Sequence, residues 1–131
     1  MVIVDTTVWV DYLRGDDSPE TTWLDRELQN QPLGLTDLIL CEVLQGVTDR
    51  GVFAKVRNDL LKFHVFDTGG GNLAIAAAQN YLELRRHGYT VRKTIDCLIA
   101  TFCLRAGHEL LTRDRDFAPF AAILGLRIVD A

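Results

Sequence analysis

Met1-Val-Ile-Val-Asp-Thr-Thr-Val-Trp-Val10 is the stretch from which the rest of the chain can be read. Its first four residues form a continuous apolar run that a carboxylate stops at once. Short runs of this kind suit a parallel strand covered on both faces, and in such sheets ligands collect beyond the carboxyl ends of the strands. Asp5 is therefore expected at that edge. Alone it would be an ordinary strand-end or helix-capping acid, so its meaning depends on what other segments bring there.

The remaining pattern alternates strands with helices. Helices are expected over Thr7–Leu13, Pro19–Asn30, Asp37–Gly46, Val52–Lys62, Leu73–His87 and Thr94–Gly107, from apolar spacing, capping residues and glycine stops. Pro32–Thr36, Phe63–Phe66, Glu109–Thr112 and Leu126–Asp130 read as short strands. No repeat, linker or low-complexity segment interrupts the order, which predicts an α/β domain over residues 1–131 around a mostly parallel sheet flanked by helices. The glycines of Asp67-Thr-Gly-Gly-Gly-Asn72 fit neither phosphate-loop spacing and read as a connection.

Composition bounds the function classes. The 131 residues are enough for one ordinary core, and 48% hydrophobic with 24% charged residues exclude a disordered chain. A net charge of −4 from 18 acids and 14 bases gives no electrostatic sign of a nucleic-acid partner, although an acid cluster built for a cation would itself lower the charge. Asp5 breaks any secretory-type apolar segment, and no run of about 18 apolar residues occurs, so a cytoplasmic location and no membrane contact are expected. Cys41, Cys97 and Cys103 are odd in number, lack a Cys-x-x-Cys pair and read as reduced core residues.

Four acids have positions that can converge. Asp5 and Asp114 each follow an apolar strand, Asp96 opens a helix, and Glu42 lies on a helix that follows a strand. Each has a bland reading as a solvated side chain or a charge offsetting a helix dipole. Together they would repel unless a cation joined them, and oxygen donors without clustered His or Cys suit Mg2+ or Mn2+. Such an ion supports phosphodiester hydrolysis. Thr7 and Thr112 can orient carboxylates or cap turns. Arg85, Arg86, Arg92, Lys93, Arg113 and Arg115 can hold phosphates, or serve as helix-end, turn and acid-paired charges.

Asp5-Thr-Thr-Val-Trp-Val, Thr36-Asp-Leu-Ile-Leu-Cys-Glu-Val-Leu-Gln-Gly46, Asp96-Cys-Leu-Ile-Ala and Leu111-Thr-Arg-Asp-Arg-Asp-Phe117, in that order, resemble the four motifs of the PIN-domain ribonucleases, and among them the VapC toxins of type II toxin–antitoxin pairs. Thr7 stands where the family usually has serine. The resemblance implies a PIN-like three-layer fold and a Mg2+- or Mn2+-dependent endoribonuclease. It makes Asp5, Glu42, Asp96 and Asp114 the metal-site acids and Asp116 the less constant second one. Water would be the nucleophile, leaving 5′-phosphate and 3′-hydroxyl ends. It also implies a homodimer and a VapB-like antitoxin lying in an apolar groove, expected from Trp9, Leu13, Leu40, Leu44 and Phe53, although core packing accounts for each of these. Two other readings remain at this point. One is a catalytically weak PIN domain that mainly binds antitoxin. The other is a haloacid-dehalogenase-like phosphatase, whose Asp-x-Asp-x-Thr motif is broken by Thr7.

Overall fold

The computed structural model describes residues 1–131. Four strands, β1 (Val2–Val4), β2 (Leu33–Thr36), β3 (His64–Phe66) and β4 (Glu109–Leu111), form one sheet in the order β3-β2-β1-β4. All pairings are parallel, with Ile3 opposite Gly34 and Leu110, and Leu35 opposite Val65. Every residue of β1 and β2 is buried, as expected of strands covered on both faces. Gly34 is required by a close approach: a Cβ there would lie 2.9 Å from the His64 carbonyl and 3.0 Å from Met1 and Phe66 side-chain atoms.

Seven helices surround the sheet: α1 (Thr6–Arg14), α2 (Pro19–Glu27), α3 (Asp37–Gln45), α4 (Arg50–Leu60), α5 (Gly71–Arg86), α6 (Thr94–Ala106) and α7 (Ala118–Leu124). Helices α1 to α4 pack on one another, as do α5 with α6 and α7, and Trp9, Leu24, Ile99, Phe117 and Phe120 join the strands in one continuous apolar cluster. Local chemistry sets the helix ends. Thr36 accepts the Ile39 N–H at 3.1 Å, Ser18 and Thr21 form a reciprocal capping box, and Gly15 and Gly107 end α1 and α6 in the left-handed conformation.

Several expectations are corrected. Helix α2 stops at Glu27, and residues 28–30 turn away from it. Leu126–Asp130 forms no strand: it touches β4 through a single parallel bridge, Leu110 to Ile128. Helix α7 had no counterpart in the sequence reading. Cys41 is exposed, at the helical spacing it shares with Asp37 and Gln45 on α3, whereas Cys97 and Cys103 are buried. Val52, Phe53 and Leu61 are exposed, and α4 buries only Val56 and Leu60. No helix is long and apolar enough to cross a membrane.

The topology decides where a site can form. From β1 the chain proceeds through β2 to β3 on one side, then returns to place β4 on the other side of β1. The switch point therefore falls between β1 and β4, where the carboxyl ends deliver Asp5 and the Thr112–Asp116 turn.

Candidate active site

Asp5 caps β1 and is only 3% exposed. Its N–H donates to the Leu111 carbonyl at 2.9 Å, locking it to the end of β4. Two hydroxyls hold its Oδ2, from Thr112 at 2.9 Å and Thr7 at 3.0 Å. The same hydroxyl oxygens accept backbone N–H groups of the next turn: Thr112 that of Asp114 at 2.9 Å, and Thr7 that of Arg113 at 3.2 Å. Asp5 and the residues after β4 thus form one hydrogen-bonded unit. Burial pushes the Asp5 carboxyl above its usual range, the Thr112, Thr6 and Thr7 donors work against that rise, and the charge of Glu42 adds to it.

After Thr112 the chain makes a tight turn. Asp114 Oδ1 accepts the Asp116 N–H at 2.9 Å, opening a short 3-10 turn over Arg115–Phe117 that Phe117 anchors in the core. That turn brings Asp116 back beside Asp114. Asp96, in the first turn of α6, completes the group: one carboxylate oxygen from each of Asp96, Asp114 and Asp116 lies within 4.8 Å of the others. Asp96 is 5% exposed, and its Oδ2 is buried without a hydrogen-bond partner. Burial first, then the charges of Asp114 and Asp5, raise its carboxyl to about 7, with Lys93 pulling the other way.

Glu42 is half-buried on α3, accepts the Thr6 hydroxyl at 2.7 Å, and acts electrostatically on both Asp5 and Asp96. All four expected acids therefore share this end of the sheet. Asp116, expected in a lesser role, sits in the tightest group. Its proximity follows from the turn after Asp114, and an Asp-x-Asp pair at a strand exit is the local signal for it. None of these acids is in a salt bridge. A buried carboxylate oxygen without a donor, and mutually repelling acids with no imidazole or thiolate among them, fit a hard metal ion.

The cations divide. Arg92 and Arg115 border a recess that also contains Asp96 and Asp116. Lys93 precedes α6 and its charge reaches Asp96. Arg113 turns away and pairs with Asp11. Arg85 and Arg86 are exposed at the end of α5, outside the recess.

The four-stranded parallel sheet, with acids gathered at its switch point, agrees with the comparisons. The PIN-domain model matches residues 2–123. The chain belongs to the PIN-domain family. Within that family it stands with the VapC ribonucleases: VapC ribonuclease Mb1587 of Mycobacterium bovis is 33% identical over 132 residues, covering 97% of this chain and 96% of its own. Ribonuclease VapC11 of Mycobacterium tuberculosis matches with the same identity and coverage. The solved structure of VapBC2 from Rickettsia felis, bound to a DNA fragment from their promoter, superposes with a TM-score of 0.78 at 16% identity, over 100% of this chain and 99% of that one. At that identity the likeness establishes the PIN fold.

This PIN domain also carries an apolar groove of about 390 Å³ between α1, α3 and α4. Val10, Leu13, Val43, Val47, Val52 and Val56 line it, and Glu42 forms part of its wall. Of the residues expected there, only Leu13 is found. Trp9 is fully buried in the core, Leu40 and Leu44 pack against that core, and Phe53 is exposed outside the groove.

Proposed function

We propose that this chain is the toxin of a type II toxin–antitoxin pair, a metal-dependent endoribonuclease that cleaves RNA phosphodiesters with water as nucleophile. Its products would carry 5′-phosphate and 3′-hydroxyl ends. The observation that carries the reading is the convergence of Asp96, Asp114 and Asp116 within 4.8 Å, beside buried Asp5 and with no neutralising ion pair. The VapC relatives named as ribonucleases support it over almost the whole chain.

Asp5, Asp96, Asp114 and Asp116 would hold Mg2+ or Mn2+, with Glu42 at the margin of the group. When bound, such an ion supplies charge to a phosphodiester oxygen and lowers the pKa of water. The chain's own residues do the positioning. Thr7 and Thr112 fix Asp5 against the turn that carries Asp114, so the two acids cannot move independently. The Oδ2 of Asp96 is buried without a partner, an acceptor that a bound cation would satisfy. Arg92 and Arg115 are best placed to hold RNA phosphates, with Lys93 next.

The groove between α1, α3 and α4 suits the apolar face of a helix from a VapB-like antitoxin. Glu42 lies on the groove wall and also bonds Thr6 beside Asp5, so a chain leaving that groove can reach the acids. The reading extends to a homodimer acting in the cytoplasm.

The test is cleavage of total cellular RNA by antitoxin-free protein with and without Mg2+ or Mn2+, with Asp96→Asn beside it. Discrete metal-dependent 5′-phosphate ends, absent from the variant, are expected. No cleavage by folded protein under either ion would transfer the weight to an antitoxin-binding module without catalysis.

A further inference from the structure

Helix α5 ends in a way that fixes the backbone of one aromatic residue at the edge of the recess beside the acids. Gly88 takes φ +85°, a conformation that other residues rarely adopt, and donates to the Arg85 carbonyl at 3.0 Å. The Tyr89 N–H then reaches back to the Leu84 carbonyl at 2.9 Å. This pair of bonds closes the helix and holds Tyr89 at its last turn. The side chain nevertheless stays 43% exposed.

Tyr89 borders the recess of about 180 Å³ next to the acid group. Val91 and Pro119 give that recess a partly exposed apolar wall over the buried Leu84 and Phe120, while Asp96 and Asp116 form its acidic side. Arg92 and Arg115 supply its cations. We propose that the recess is a nucleobase subsite, in which one unpaired base of the RNA stacks on Tyr89 while Arg92 and Arg115 take the flanking phosphates. This rests on the ribonuclease reading and adds a substrate-positioning residue to it.

Size, shape and charge each favour that occupant. The volume is below the ~300–1,000 Å³ of pockets for drug-sized ligands, and suits one ring system. An aromatic platform with apolar walls accepts the face of a base, and phosphates on either side of that base need the two arginines. A base in an A-form duplex is stacked and cannot enter, so the substrate segment is single-stranded.

The experiment measures binding of a labelled single-stranded decaribonucleotide of mixed sequence, and of its duplex, by fluorescence anisotropy. An Asp5→Asn background with Mg2+ keeps the probe intact, and the thermal midpoint of each variant shows that it folds. Tyr89→Ala is expected to weaken single-strand binding by about 5- to 150-fold, the range for loss of one stacked base, while Tyr89→Phe keeps it. Duplex binding should be weaker and unaffected by either change. Wild-type affinity in Tyr89→Ala, or an equal loss in Tyr89→Phe, would overturn the subsite, as would an effect of Tyr89→Ala confined to antitoxin binding. Mapping cleavage in the Asp5-containing protein separates the two readings. Absence of cleavage by the parent protein removes the ribonuclease, whereas unchanged rates and sites in Tyr89→Ala remove only the subsite.

Discussion

Replacing Asp96 by asparagine should make the ion-free protein more stable, although it removes an acid of the proposed active site. Asp96 is buried, one of its oxygens has no donor, and the charges of Asp114 and Asp5 act on it. In the unfolded chain it titrates near 3.8, and in the folded chain near 7. Above pH 7 it is ionised in both states, and the folded state bears the full cost of that charge. As pH falls through 7 the folded protein takes up a proton that the unfolded chain does not, so the cost shrinks and disappears below about 3.8. At about 1.4 kcal/mol per pH unit the displacement corresponds to an upper bound of about 4 kcal/mol. Solvent reaching the recess screens part of this, leaving about 2 kcal/mol.

Asp96→Asn is therefore expected to raise the thermal midpoint at pH 8 in EDTA by about 5–10 °C, given how midpoints respond in chains of this size. At pH 5 the advantage should fall below half. Millimolar Mg2+ should raise the midpoint of the parent protein at pH 8 and leave the variant nearly unmoved, because ligand binding stabilises by mass action. A variant less stable than its parent at pH 8, or equally favoured at both pH values, would refute the picture of an acid group held in mutual repulsion.

Other changes test other parts of the structure. Thr112→Val removes a donor to Asp5 and an acceptor for the Asp114 N–H, so urea denaturation should show a loss of about 1–3 kcal/mol, with cleavage reduced as well. Trp9→Ala should cost about 3–5 kcal/mol because Trp9 is wholly buried, whereas Trp9→Phe should cost under about 1.5 kcal/mol because the indole N–H has no partner to lose. Val52→Glu, at a half-exposed groove position, should abolish co-purification of the antitoxin while changing stability by no more than about 0.5 kcal/mol; retention of the antitoxin would show that it docks elsewhere.

What the sequence made legible was the carboxyl-end geometry. The apolar runs before Asp5 and Asp114 read as buried strands, and a parallel sheet can gather such strand ends, which is how a convergence of Asp5, Glu42, Asp96 and Asp114 came into view. Lateral distances did not follow. Asp116 joins the group only because Asp114 accepts its N–H and tightens the next turn, an effect local to three residues. The face of α3 was open because its polar residues, Asp37, Glu42 and Gln45, do not form an unbroken stripe, with Leu38 falling among them, so Cys41 was misplaced and Glu42 undecided. The Pro119 and Gly125 signals bracketing α7 were present but lay beside a short alternating segment that resembled a strand. Arg113 had two open roles, phosphate or acid pairing, and the choice required knowing that α1 carries Asp11 to meet it.

The five acids at the switch point are not equivalent, and the difference comes from hydroxyls. Asp5 is as buried as Asp96, yet its Oδ2 receives two threonine donors that counter part of the desolvation. Asp96 has no such donors, and burial first, then the repulsion of its neighbours, raises its carboxyl to about 7. Both carboxyls are thus raised by burial, Asp5 against two hydroxyl donors and Asp96 without any. Asp96 therefore carries the cost of its charge with no donor to offset it until a cation compensates it. Because Thr7 and Thr112 also bind the backbone of the Arg113–Asp114 turn, the support given to Asp5 sets the position of Asp114 as well. A substitution at either threonine should therefore disturb both carboxylates together, whereas Asp96→Asn removes a single charge and leaves that hydrogen-bonded frame in place.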